Sequence, residues 1–272
     1  MNSRVLSKSV AITVLSLLLF LTLVPILLLL YMSIRDDLDI QLEFWAWPSS
    51  IKWGNYSGAF DAVIHSVWNS LFVCGVTVAL STLIGSLSGY VFARHRFPAK
   101  NFLFFILIGV MMIPGVLTIV PLYGELSKMG LIHSYWGLIL PYTSGTQLLV
   151  IFLSRTFIET LPEELFEAAR IDGASEWYLY SRIAIPLTVP MLVTAGLMTF
   201  LGVYNDYLVP LLILDESQYT FAVAVVNLNN AGRPDLGLSF AAYVLGSIPT
   251  IAVISMGMKY YLQGATAGAV KS

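Results

Sequence analysis

Apolar residues run through this chain in six stretches, at about 10–34, 68–93, 102–124, 136–154, 187–213 and 238–262. Each is close to the roughly 20 residues that a helix needs to cross a bilayer. The pattern predicts an all-α, polytopic membrane protein with six transmembrane helices. Its polar residues gather in the connections, above all in 155–186, which reads RTFIETLPEELFEAARIDGASEWYLYSRIAIP. That connection holds six of the sixteen acidic residues: Glu159, Glu163, Glu164, Glu167, Asp172 and Glu176. A loop that only returned the chain to the membrane could be far shorter, so this one reads as a surface for docking.

Local signals divide the segment into two short helices. Pro162 suits a first helical turn, where its missing N–H costs nothing. Glu163 and Glu164 follow, favourable at the positive end of the helix dipole. Leu161, Leu165, Ala168, Ala169 and Asp172 fall at helical spacing and give one smooth, mostly apolar face. Arg170 sits in the last turn and Gly173 suits a left-handed C-terminal cap. Ser175 then reads as the N-cap of a second short helix through Trp177, Tyr178, Leu179 and Ile183, expected to stop before Pro186.

Composition agrees with a membrane protein. Hydrophobic residues make up 57% of the 272 and charged residues 11%, with a mean hydropathy of +0.80; a soluble domain carries about 25% charged residues. The net charge of −2 gives no sign of a nucleic-acid partner. Cys74, the single cysteine, excludes an internal disulfide framework. The first apolar run exceeds a signal-peptide core and reads as a retained anchor. With six spans, both termini share a side with the loops after spans two and four. Ten basic residues fall there (Arg4, Lys8, Arg94, Arg96, Lys100, Arg155, Arg170, Arg182, Lys259, Lys271), against Arg35, Lys52, Lys128 and Arg233 opposite. The positive-inside rule then makes both termini and 155–186 cytosolic. In the outer segment after span one, Trp45, Trp47 and Trp53 fit an interfacial belt better than a folded cap.

Glu167-Ala168-Ala169, then Gly173, Ile183 and Ile185-Pro186 at their spacing, resemble the loop signature of binding-protein-dependent ABC importer permeases, with isoleucine where leucine usually precedes the proline. The resemblance implies the type I permease architecture, with 162–173 as a cytosolic coupling helix seated in an ATP-binding subunit. It implies ATPase-coupling roles for Leu165, Glu167, Ala168, Ala169, Arg170, Asp172, Gly173, Ala174, Ile183 and Pro186. Trp47-Pro48 with Trp53, Asn55 and Tyr56, the run Asn205-Asp206-Tyr207-Leu208-Val209-Pro210, and the tail from Gln263 to Lys271 are similar to carbohydrate permeases of the maltose type, in particular their second membrane subunit. The implied organisation is an anchor helix and extracytoplasmic segment (1–65), a permease domain (66–262) containing the coupling loop, and a cytosolic tail (263–272). The implied partners are ATP-binding cassette subunits, a second homologous permease, an extracytoplasmic solute-binding protein and membrane lipid. ATP and Mg²⁺ belong to the partner ATPase, and no cofactor to this chain.

The remaining residues fit a translocation subunit in a cell membrane. No G-x-x-x-x-G-K-[ST] loop occurs, so ATP hydrolysis is expected of another chain. His65, His95 and His133 are scattered without a metal-ligand pattern, and His95 reads as part of a solvated turn. Asp206 is the notable ionisable residue in a span and faces either a cavity or a structural partner. Asp206, Tyr204, Asn205, Tyr207, Thr143 and Gln147 are the candidates for the substrate path, although helix–helix bonding explains them equally or better. Pro114, Gly115 and Pro121 should bend span three. A secondary transporter would show more intramembrane charge and internal repeats; a membrane scaffold or receptor recruiting a signalling partner would suit amphipathic helices lying on the bilayer, but this loop is acidic rather than lysine-rich. Within importers, the alternative cargo is a peptide, polyamine or other polar solute.

Overall fold

The computed structural model describes residues 3–48, 50–230 and 235–269, so Arg233 and Lys271 of the charge count lie outside it. Among the described residues every regular element is helical: α1 (Ser3–Ser33), α2 (Asp37–Leu42), α3 (Gly54–Arg94), α4 (Lys100–Met111), α5 (Ile119–Lys128), α6 (Trp136–Ile158), α7 (Glu163–Ile171), α8 (Glu176–Tyr204), α9 (Leu208–Ile213), α10 (Phe221–Asn230) and α11 (Leu236–Ala269). Short 3₁₀ turns precede α5 (Gly115–Thr118) and α10 (Glu216–Gln218).

Five of these helices are long and apolar enough to cross a membrane, or six if a bent pair counts as one span. The bent pair is the expected third span. It breaks after Met111 and turns by 90°, because Pro114 has no N–H to continue α4 and takes an extended backbone (ψ 123°). Pro121 lies in the first turn of α5, where it breaks no helical bond. The expected fifth span is shorter at one end and longer at the other. It stops at Tyr204 rather than 213, and it begins at Glu176.

Continuity through Pro186 corrects the expected stop there. Leu179–Ala184 forms a π turn between α-helical Glu176–Tyr178 and Ile185–Tyr204. The wider turn absorbs the register change that a proline imposes on the carbonyls behind it.

The chain divides into two compact units. The first, Met1–His65 with Ala224–Ile248, is organised by Arg35, which is 1% exposed. Its guanidinium donates to the carbonyls of Phe44 (2.6 Å), Asp39 (3.0 Å) and Glu43 (2.8 Å), which close the C-terminus of α2. The Asn55 amide donates to the carbonyls of Ser33 and Arg35. Lys52 pairs with Asp36 at 2.5 Å and holds that carboxyl below its ordinary range. The segment after α1 is therefore folded, and Trp45, Trp47 and Trp53 project from it, each more than two-thirds exposed, as the expected interfacial belt requires. No residue in the most apolar stretch of α1 is buried within the chain. A helix apolar all round requires an apolar environment that this chain does not itself supply.

The second unit, Ser66–Val223 with Pro249–Ser272, contains α6 at its centre, packed against α8 and α4. Gly85 and Gly89 let α3 approach α6 closely. A Cβ on Gly85 would lie 2.4 Å from Val150 Cβ, and one on Gly89 2.4 Å from Ser154 Cβ. Small residues four apart allow this backbone approach within lipid, where packing rather than water exclusion joins helices. Gly89→Leu should force the two helices apart and cost about 1–3 kcal/mol. A lowered melting temperature of the detergent-solubilised protein would register this, and an unchanged one would contradict the packing.

Candidate functional site

The acidic connection folds into an elbow that matches most of its sequence signals. Pro162 stands just before α7, as its N-cap, one position earlier than expected. At the other end Gly173 has φ +81°. The Gly173 N–H donates to Arg170 (3.0 Å) and the Ala174 N–H to Ala169 (2.9 Å), a Schellman closure that satisfies the last carbonyls. Ser175 Oγ then accepts from the Tyr178 N–H at 3.3 Å and opens α8.

The anchor of this assembly is Phe166, a residue that the sequence pattern did not single out. Its ring is fully buried among Tyr90, Ile158, Leu179, Tyr180 and Ala184. Burying such a side chain contributes roughly 1.5–3 kcal/mol. Arg94, at the end of α3, lies over the same ring with its guanidinium carbon 4.1 Å from the centroid. It also donates to the carbonyls of Ile158 and Leu161 at 2.8 Å each and pairs with Glu163. The Ile158 carbonyl lies at the negative end of α6, a favourable place for a cation, and that of Leu161 in the turn just after it.

A chain of charges continues around the elbow. Arg170 bonds Glu163 (3.4 Å) and Glu176 (3.3 Å). Partial burial alone would push the Arg170 guanidinium down; its bonds to Glu176 and Glu163 outweigh this and raise it above its ordinary value. Glu176 also accepts from the Tyr90 hydroxyl (2.9 Å) and lies 3.3 Å from His95 Nε2. His95, expected in a solvated turn, instead sits edge-on to Tyr90.

The expected coupling residues therefore separate into two sets. Leu165, Glu167, Ala168 and Asp172 are exposed, together with Glu164 and Ile171, which is 86% exposed. Ala169, Ala174 and Ile183 instead pack against the buried cluster, Arg170 belongs to the charge chain, Gly173 makes the corner, and Pro186 is exposed on α8. Leu161 also turns inward, so the single face expected from spacing is shared between core and surface.

The substrate-path candidates disperse as well. Asp206 lies not within a span but in the break between α8 and α9. There it accepts from the Tyr142 hydroxyl at 2.7 Å and from the Leu208 N–H at 3.0 Å. It lines a cavity of about 730 Å³ with Tyr142, Ser144, Thr118 and Glu125. Thr143 is buried away from that lining, and Gln147 lies along α6 outside it. Tyr204 is packed between Phe200 and Phe221. Asn205 donates to the Leu201 carbonyl of its own helix, and Tyr207 is the residue preceding α9. A larger cavity of about 980 Å³, bounded by α3, α8 and α11, is lined mainly by aliphatic side chains such as Val78, Leu192 and Met256. It offers few groups to a sugar hydroxyl. Among the described residues no group of three or more His, Cys, Asp or Glu could hold a metal ion.

Residues 81–265 match the family described as the binding-protein-dependent transport system inner membrane component, and the chain belongs to it. It is 32% identical over 257 residues to the multiple sugar-binding transport system permease protein MsmG of Streptococcus mutans, covering 92% of each chain. It is 30% identical over 252 residues to the melibiose/raffinose/stachyose import permease protein MelC of Bacillus subtilis, covering 91% of each. Its fold is similar to a chain of the bacterial ABC transporter involved in import of the acidic polysaccharide alginate, with a TM-score of 0.81, 20% identity and coverage of 96% and 98%. The protein is a multi-pass membrane permease, a transport subunit.

The elbow closure makes a local prediction. Gly173→Ala must hold an L side chain at positive φ and should lose about 1–2 kcal/mol, whereas Gly173→Asn should lose less. Chemical or thermal unfolding of the two variants side by side checks the order.

Proposed function

We propose that this chain is the membrane-spanning subunit of an ATP-driven, binding-protein-dependent oligosaccharide importer, with α7 as its coupling helix. The single observation that carries the docking role is the division of α7 into a buried and a presented face. Phe166 and Ala169 anchor it inward, while Ala168 and Ile171 form a small apolar surface framed by Glu164, Glu167 and Asp172. A fitting partner offers an apolar cleft with a basic rim. The sugar-transport relatives, each covering nearly the whole chain, support a carbohydrate cargo.

In this reading both termini and 155–186 face the cytosol, supported by the ten-to-four distribution of basic residues. ATP and Mg²⁺ act in separate ATPase subunits, and this chain performs no hydrolysis. A second permease subunit completes the membrane pore and an extracytoplasmic binding protein delivers the sugar. Nucleotide binding closes the ATPases and moves α7; the spans then turn the path from inward-facing to outward-facing. ATP can drive this only by binding the two states with different affinity. The cavity at Asp206, Tyr142 and Ser144 is the part of the path that this chain contributes, because it carries hydrogen-bonding groups suited to sugar hydroxyls.

Glu167→Lys and Ala168→Trp alter only the presented face. Each should reduce co-purification of the ATPase and sugar uptake at least tenfold while membrane insertion persists. Normal coupled uptake in both variants would refute the docking assignment.

A further inference from the structure

Two covalent connections join α7 to the spans, the short turn 159–162 and the glycine corner at positive φ. Each touches α7 only at an end; along its length, side-chain contact fixes it to the spans. Phe166 is the one large side chain of α7 that is fully enclosed, and its enclosure is made by α3, α6 and α8 together. Arg94, at the end of α3, makes three kinds of contact from one guanidinium: the Phe166 ring, the carbonyls of Ile158 at the end of α6 and of Leu161 in the turn after it, and Glu163 on α7 itself. Its side chain is only 6% exposed.

We infer that Arg94 and Phe166 are the positioning residues through which displacement of α7 becomes displacement of α3 and α6. This rests on α7 being the ATPase-docking helix. The planar fork is essential to the assignment. A guanidinium stacks on an aromatic face while donating in its own plane to two carbonyls and a carboxylate; an ammonium cannot do both. Removing either partner leaves the presented face of α7 intact, so the ATPase still binds. It also loosens the connection to the spans, so hydrolysis proceeds without transport.

The test is made on the whole importer, with both permease subunits, the ATPases and the binding protein reconstituted in liposomes. Arg94→Ala, Arg94→Lys, Phe166→Ala and Phe166→Leu are compared for sugar-stimulated ATP hydrolysis and for uptake of the sugar. Arg94→Ala and Phe166→Ala should retain hydrolysis within about twofold while uptake falls about tenfold, so ATP consumed per sugar rises by a similar factor. Arg94→Lys should fall between, and Arg94→Ala with Phe166→Ala together should be no worse than either alone. If an alanine variant does not assemble, Arg94→Lys and Phe166→Leu carry the comparison. A parallel loss of hydrolysis and uptake, or an unchanged ratio in all variants, overturns the inference. Ala168→Trp in the same assembly separates the two readings. If it loses the ATPase while the Phe166 variants stay fully coupled, docking stands and the linkage falls. If it keeps the ATPase and full uptake, docking itself falls.

Discussion

Arg94 is a point at which α3, α6 and α7 of the second unit meet. A guanidinium placed at the end of α3 meets the carbonyl of Ile158 that ends α6 and that of Leu161 in the following turn, the ring that anchors α7, and the first carboxylate of α7. Each contact answers a different need: a helix C-terminus wants a cation, a buried ring offers its face, and a half-buried charge needs a counter-charge. The elbow holds a nine-residue helix, too short to persist on its own in water, and packing along its inner side supports it, through Leu161, Ala169 and Ala174 as well as Phe166. Its stability is borrowed from packing, and the same packing makes it able to pass on a movement.

The first unit solves a similar problem with Arg35. Buried and bonded to three carbonyls, it ends α2 and folds the segment after α1, while the tryptophans stay exposed. In both places an arginine serves as a helix terminator supplied from elsewhere in the chain. Glycines complete the arrangement where backbones must nearly touch, as at Gly85 and Gly89 against α6.

Asp206 shows how a costly group is made tolerable. The chain breaks beside it, and the carboxylate satisfies both the freed Leu208 N–H and the Tyr142 hydroxyl. Structural and path-lining roles are not exclusive here, since the same carboxylate borders the cavity.

The six apolar runs, the π-independent parts of the elbow and the bend at Pro114 were legible in the sequence, because they depend on local quantities: run length, cap residues, a missing N–H. Gly173 and Ser175 announce their roles through backbone conformation and a side-chain oxygen two or three residues away. Phe166 and Arg94 announce nothing locally. Spacing assigned Leu161, Leu165 and Ala169 to one face, and only the position of α3, α6 and α8 around α7 decides that Leu161 and Ala169 turn inward and Leu165 outward. The helix through Pro186 and the early end at Tyr204 were hidden for the same reason. A π turn and a capped break are set by what surrounds the backbone, and those surroundings come from residues far away in the chain.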